Sequence, residues 1–179
     1  MRRLLRQYLP DRDTIHRNPW LRPFENSLLH PRLWQLNRRS AAGAVAAGLV
    51  CGLIPGPLQM PGAALCALLF RINLPLALVT TLYTNPVTIV PLYLLAYQLG
   101  RWLLGEQGEL LLPPAFDATQ FVAWTQGMQD WMLATAHPLA VGLLLLATVL
   151  GVIGFFTVHI AWRLNLLRQQ RRRRSSRSA

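Results

Sequence analysis

The chain has 179 residues, enough for one domain, with 53% apolar residues, 14% charged residues and a mean hydropathy of +0.29. Its net charge of +11 sits at the ends: nine Arg against Asp11, Asp13 and Glu25 in residues 1–40, seven Arg and no acid in residues 163–179, and only Arg71 and Arg101 against four acids between them. This partition argues against a nucleic-acid binder, which needs its cations on a binding face, and for juxtamembrane charge that flanks an apolar domain and attracts anionic lipid.

Residues 1–40 alternate Arg with Leu, Tyr and Trp and are cut by Pro10, Pro19, Pro23 and Pro31. Such pieces suit the headgroup layer, with Arg reaching outward and Leu or Trp dipping inward. Pro31 fits a first helical turn. No apolar stretch of signal-peptide type follows Arg2 and Arg3.

The membrane domain is expected over residues 41–162. Its first stretch, 41–70, is broken by Pro55-Gly56-Pro57 and Pro61-Gly62, through which no helix runs unperturbed. The arms 41–54 and 58–70 reach only about 21 and 20 Å as helix, short of a hydrocarbon core of about 30 Å. The second stretch, 74–100, breaks at Asn85-Pro86. After it, residues 101–137 form a less apolar loop with a helix expected from about Asp117 to Ala136, capped by Asp117 or Thr119. There Phe121, Trp124, Met128, Trp131 and Met132 make one apolar face suited to lying along a membrane surface. Residues 139–162 carry no proline and no charge and form a spanning helix. The Arg- and Ser-rich end of 163–179 is expected to be disordered.

The fold class that results is an all-α integral membrane protein: one re-entrant hairpin, about two spanning helices, and interfacial amphipathic helices. Two basic ends on the cytoplasmic side require an even number of crossings. The loop 101–136, with Arg101 against Glu106, Glu109, Asp117 and Asp130, belongs outside. One broken stretch then crosses and the other returns. The short arms favour 41–70 as the hairpin and 74–100 as a kinked crossing helix; the reverse assignment satisfies the same parity.

Ala44, Gly48 and Gly52 fall at i, i+4 and i+8, a small-residue stripe that lets helix backbones approach closely. It serves either packing within the chain or dimerisation. Thr80, Thr84 and Thr88 would share a face of an unbroken helix, with Asn85 adjoining. Their hydroxyls either satisfy carbonyls freed by Pro86 or, with Gln59, Arg71 and Asn73, complete a ligand site at broken helix ends facing an anion. Cys51 and Cys66 lack CxxC spacing, and His16, His30, His137 and His159 are scattered, so no metal or cofactor site is expected. No Ser lies between residues 41 and 174, and no nucleotide-binding glycine loop is present. No enzyme is expected.

The runs Ala47-Gly48…Leu53-Ile54-Pro55…Gln59, Phe70-Arg71-Ile72-Asn73, Thr84-Asn85-Pro86-Val87-Thr88 and Pro91-Leu92-Tyr93…Tyr97-Gln98-Leu99-Gly100 resemble the bacterial membrane domain-of-unknown-function family twenty sixty-two. The resemblance covers about residues 25–160, with R-x-N and T-N-P-x-T its most specific marks. It implies a small integral membrane protein without an assigned reaction. The broken hairpin followed by a kinked helix is also loosely similar in architecture to DedA membrane proteins.

The expectation is therefore a multi-pass bacterial inner-membrane protein with both ends cytoplasmic. It would bind or translocate a polar or anionic solute or lipid headgroup at its broken helices. Alternatively, it would serve as a non-transporting accessory subunit, docking a membrane partner or a second copy of itself.

Overall fold

The computed structural model describes residues 33–175, which form six α-helices and no strand. The expectations for residues 1–32 and for the chain beyond Ser175 lie outside the described residues. Helix α1 (Arg38–Cys51) starts where the Asn37 side chain accepts a hydrogen bond from the Ser40 amide at 2.9 Å. It ends at Gly52. A single 3-10 turn, Gly56–Leu58, leads into α2 (Gln59–Phe70), and Gly56 takes the left-handed backbone that the turn requires.

The α2–α3 junction explains the Arg71-Ile72-Asn73 element. Arg71 closes α2 in the left-handed conformation (φ 52°), and the Ile72 amide bonds back to the Ala67 carbonyl at 3.1 Å. Asn73 then caps α3 (Leu74–Thr81) by accepting from the Leu76 amide at 2.9 Å, ahead of Pro75. Two residues on, one helix has ended and the next begun.

A second junction separates α3 from α4 (Pro86–Leu104). Asn85 accepts from the Val87 and Thr88 amides at 3.0 Å each, while its own amide donates to the Thr88 hydroxyl oxygen at 2.9 Å. With Pro86 at the first helical position, Thr84-Asn85-Pro86-Val87-Thr88 is a capping box with a proline start. The break at 82–85 means that Thr80, Thr84 and Thr88 do not share a continuous face. Helix α5 (Phe121–Ala134) begins later than the expected Asp117 and ends before Ala136. The Thr119 hydroxyl and amide donate to Asp117 instead, forming a local turn that holds the carboxyl below its ordinary range. Helix α6 (Ala136–Ser175) has 40 residues and continues through the stretch where composition predicts disorder; its Arg and Gln residues are good helix formers.

Glycine contacts fix the packing directions. Gly43 meets Ile72, Gly48 meets Ala77 and Thr80, and Gly52 meets Tyr83, so α1 and α3 run parallel. Helix α2 returns antiparallel, with the Cys51 and Cys66 sulfurs 3.8 Å apart. Gly151 packs on Val50 and Gly154 on Leu49 and Val45, so α6 runs antiparallel to α1. Gly100 and Gly142 meet where α4 crosses α6, also antiparallel. Helix α1 therefore covers the C-terminal part of the α6 apolar stretch and α4 its N-terminal part. Leu53, Tyr93 and Leu146 share one buried cluster at the join.

Helices α4 and α6 (over Ala136–Leu167) are long and apolar enough to cross a membrane by length and composition. Large apolar side chains face outward, with Leu144 72% and Phe70 71% exposed.

Candidate functional site

The two chain breaks, 52–58 and 82–85, lie side by side. The last turn of α1 leaves carbonyls without helical partners, and side chains from the second break and α4 reach carbonyls there. The Tyr83 hydroxyl donates to the Leu49 carbonyl and the Tyr93 hydroxyl to the Leu53 carbonyl, each at 2.8 Å. The Thr84 hydroxyl lies 2.7 Å from the Gly52 carbonyl, 3.0 Å from the Thr81 carbonyl and 2.8 Å from Gln59 Oε1. One hydroxyl has one proton. It bonds a carbonyl of one break or the other, and Gln59, with its amide turned, donates to it.

Helix α5 closes this junction from outside. Trp124, Met128 and Trp131 are buried, and Met128 and Trp131 pack in the cluster with Tyr93 and Tyr97. Trp131 stands edge-on to Tyr97 (centroids 5.6 Å) and donates to the Leu111 carbonyl at 3.0 Å; Trp124 donates to the Pro114 carbonyl at 3.3 Å. The core of the apolar face expected to lie on a membrane surface is thus turned into the protein. Its indole N–H groups need acceptors, and the extended segment before α5 supplies them.

Between the breaks and α5 lies a cavity of about 660 Å³. Gln59, Thr84, Asn85, Thr125 and Gln129 give it a polar edge, Ile54, Ile89, Met128 and Met132 apolar walls, and among the described residues no charged side chain lines it. The volume suits a small polar molecule or a lipid headgroup. Among the described residues, no group of three His, Cys, Asp or Glu lies together as a metal site would need.

The six residues singled out as ligand candidates divide. Gln59, Thr84 and Asn85 line the cavity, and Thr88 adjoins it with its hydroxyl donating to the Tyr83 carbonyl at 2.7 Å. Arg71 and Asn73 lie at the opposite end of α2 and α3, a helix of 12 residues or about 18 Å away, and serve as caps. Asn85 also caps α4, so the amides that would have met an anion are already bonded. The small-residue stripe lies within the chain: a Cβ on Gly48 would stand 2.6 Å from the Ala77 carbonyl oxygen, and one on Gly52 would stand 2.5 Å from the Tyr83 ring. Ala44 is fully buried. Sequence reasoning missed Thr125 and Gln129, whose i, i+4 spacing on α5 was visible, because nothing in the sequence places α5 over the breaks.

The profile of a family described as an uncharacterized protein conserved in bacteria, DUF2062, matches residues 21–174. The chain belongs to this family. The match takes in both breaks, α5 and nearly all of α6, so the cavity lies wholly within the DUF2062 region. No curated protein and no solved structure matches the chain, and the looser likeness to DedA proteins finds no counterpart.

Proposed function

We propose that this DUF2062 protein sits in the bacterial inner membrane and binds the uncharged polar head of a lipid, or a small polar solute, in the cavity between its two breaks. The observation that carries the reading is the lining itself: amide and hydroxyl groups gathered from three separate elements, apolar walls, and no charge among the described residues. Irregular backbone at membrane depth is tolerated where it is buried in protein or lines a cavity. Both breaks meet that condition, through the Tyr83, Thr84 and Tyr93 hydrogen bonds and through the cavity.

The outward Leu, Val and Phe side chains support lipid contact. The antiparallel α1–α2 hairpin, turning level with the interior of α6, supports the re-entrant assignment of 41–70, with 74–100 crossing as a broken helix. The Arg clusters favour both ends on the cytoplasmic side. Among the described residues no charge lines the cavity, which favours a neutral head over an anionic one there, since a desolvated anion needs a counter-charge.

An accessory-subunit reading draws support from a different observation, the internal bonding of Thr84, Asn85 and Thr88. The two readings separate in a thermal-unfolding experiment in phosphatidylcholine nanodiscs doped with a galactosyl diacylglycerol, an uncharged hydroxyl-bearing head. Binding predicts stabilisation of the native chain that shrinks in Gln59→Ala and Gln129→Ala. No stabilisation, or the same stabilisation in both variants, favours the accessory subunit.

A further inference from the structure

A second concavity, of about 740 Å³, runs between α1, α2 and α6 on the face away from the breaks. Its walls are mostly apolar, including Val50, Phe70, Val152 and Phe156; the Thr148 hydroxyl in that wall already donates to the Leu144 carbonyl at 2.8 Å, and Arg39 and His159 also line the groove. The helix register brings those two together. Gly154 packs against Val45 and Leu49, and α6 runs antiparallel to α1, so one further turn carries His159 beside the first turns of α1, where Arg39 lies. His159 stacks on Phe155, with ring centroids 5.0 Å apart. Its Nδ1 is buried without a hydrogen-bond partner among the described residues, a condition that a buried polar atom rarely sustains. From Arg39 to Val50 the groove follows eleven residues of helix, about 16 Å, or one leaflet of a hydrocarbon core of about 30 Å.

Among the described residues, the charge at this end of the bundle has one sign. Arg38, Arg39 and Arg163 cluster at this end of the bundle, and no acid occurs in the sequence between Glu25 and Glu106 or after Asp130. We infer that the groove holds one acyl chain of an anionic phospholipid, with its phosphate at Arg39 and His159. The inference rests on the membrane placement proposed above and is independent of the cavity between the breaks. Arg39 binds a phosphate oxygen through its planar fork of donors. His159 supplies its ring N–H as a further donor to the same group, and the acyl chain lies along α1 and α6 where lipid already surrounds the fold.

The test is native mass spectrometry of the full chain released from equimolar phosphatidylglycerol and phosphatidylcholine at high salt, where attraction to exposed charge is screened. The native chain should retain one phospholipid and prefer phosphatidylglycerol. Arg39→Gln should lower that preference about tenfold, the worth of one charge-assisted hydrogen bond, and His159→Leu should lower it less. Arg38→Gln removes the same charge one residue away, from a side chain that does not line the groove, and should leave the preference intact. Val152→Trp should fill the groove and release the lipid without lowering thermal stability. Equal loss in Arg38→Gln and Arg39→Gln would mean surface attraction and overturn the proposal, as would a lipid-free dimer dissociated by Val152→Trp. Equal retention of both lipids by the native chain overturns it while leaving the membrane placement standing; failure of the chain to enter a bilayer at all removes both.

Discussion

Gly100 and Gly142 face one another where α4 crosses α6, so closely that a Cβ on Gly100 would overlap the Pro138 carbonyl and one on Gly142 the Ala96 carbonyl. Ala96-xxx-Gly100 on one helix and Pro138-xxx-Gly142 on the other form a small-residue crossing of the kind that lets membrane helices touch backbone to backbone.

Gly100→Ala and Gly142→Ala should each destabilise the protein by about 1–3 kcal/mol or more, because the obstructing atoms are backbone and cannot rotate away. Gly108→Ala, which meets only the tip of Arg101 at 3.8 Å, should be nearly silent. Thermal unfolding in detergent measures all three. Equal midpoints would mean that α4 and α6 cross elsewhere.

Arg71 is left-handed without being glycine. Arg71→Gly should therefore be neutral or stabilising, by up to about 1 kcal/mol, whereas Arg71→Val should destabilise through its β-branch. Parallel losses in the two variants would indicate that the guanidinium itself matters, as an anion contact would require.

Asn85 is a cap first. Asn85→Ala should cost about 1 kcal/mol of stability, and Asn85→Ser or Asn85→Asp should recover most of it. If Asn85→Ser is as damaging as Asn85→Ala in unfolding midpoint, the capping account of T-N-P-x-T fails.

The hairpin register is open to a direct chemical check. With the Cys51 and Cys66 sulfurs 3.8 Å apart, a membrane-permeant oxidant should join them and remove both free thiols from titration under denaturing conditions. Substituting either cysteine by Ala should leave the other titratable. Two thiols surviving oxidation in the native chain would place α1 and α2 in another register.

Punctuation of the chain was legible from residue types with fixed local geometry. Pro55-Gly56-Pro57 marked the first break and Asn85-Pro86 the second, whereas Pro61-Gly62 falls within the first turn of α2, where proline is tolerated, and breaks nothing; the uncharged run 139–162 marked the centre of α6. Arg71 and Asn85 show where local reading stops. A basic side chain and an amide beside a break look the same whether they bind a ligand or cap a helix, and only the backbone angle of Arg71 and the two amides bonded by Asn85 decide between them. The face of α5 was also visible as a pattern of Trp and Met, but periodicity shows only that a face will be covered. The indole bonds to Leu111 and Pro114 fix what covers it, and those contacts span 20 and 10 residues. The α4–α6 crossing was hidden for the same reason, since two short glycine patterns 42 positions apart acquire meaning only as a pair.

The central claim is that the two breaks and α5 line a water-accessible cavity with a polar edge at membrane depth. The most direct measurement places a single cysteine at Gln59, with Cys51 and Cys66 replaced by Ala, and compares its reactivity toward an impermeant charged thiol reagent with that of cysteines at Val152 and Leu144 on the outer apolar faces. Modification of position 59 from the external side, with 152 and 144 protected by lipid, is the predicted result. A cysteine at position 59 as unreactive as those at 152 and 144 would contradict the cavity, and ready modification of all three would contradict the membrane placement itself.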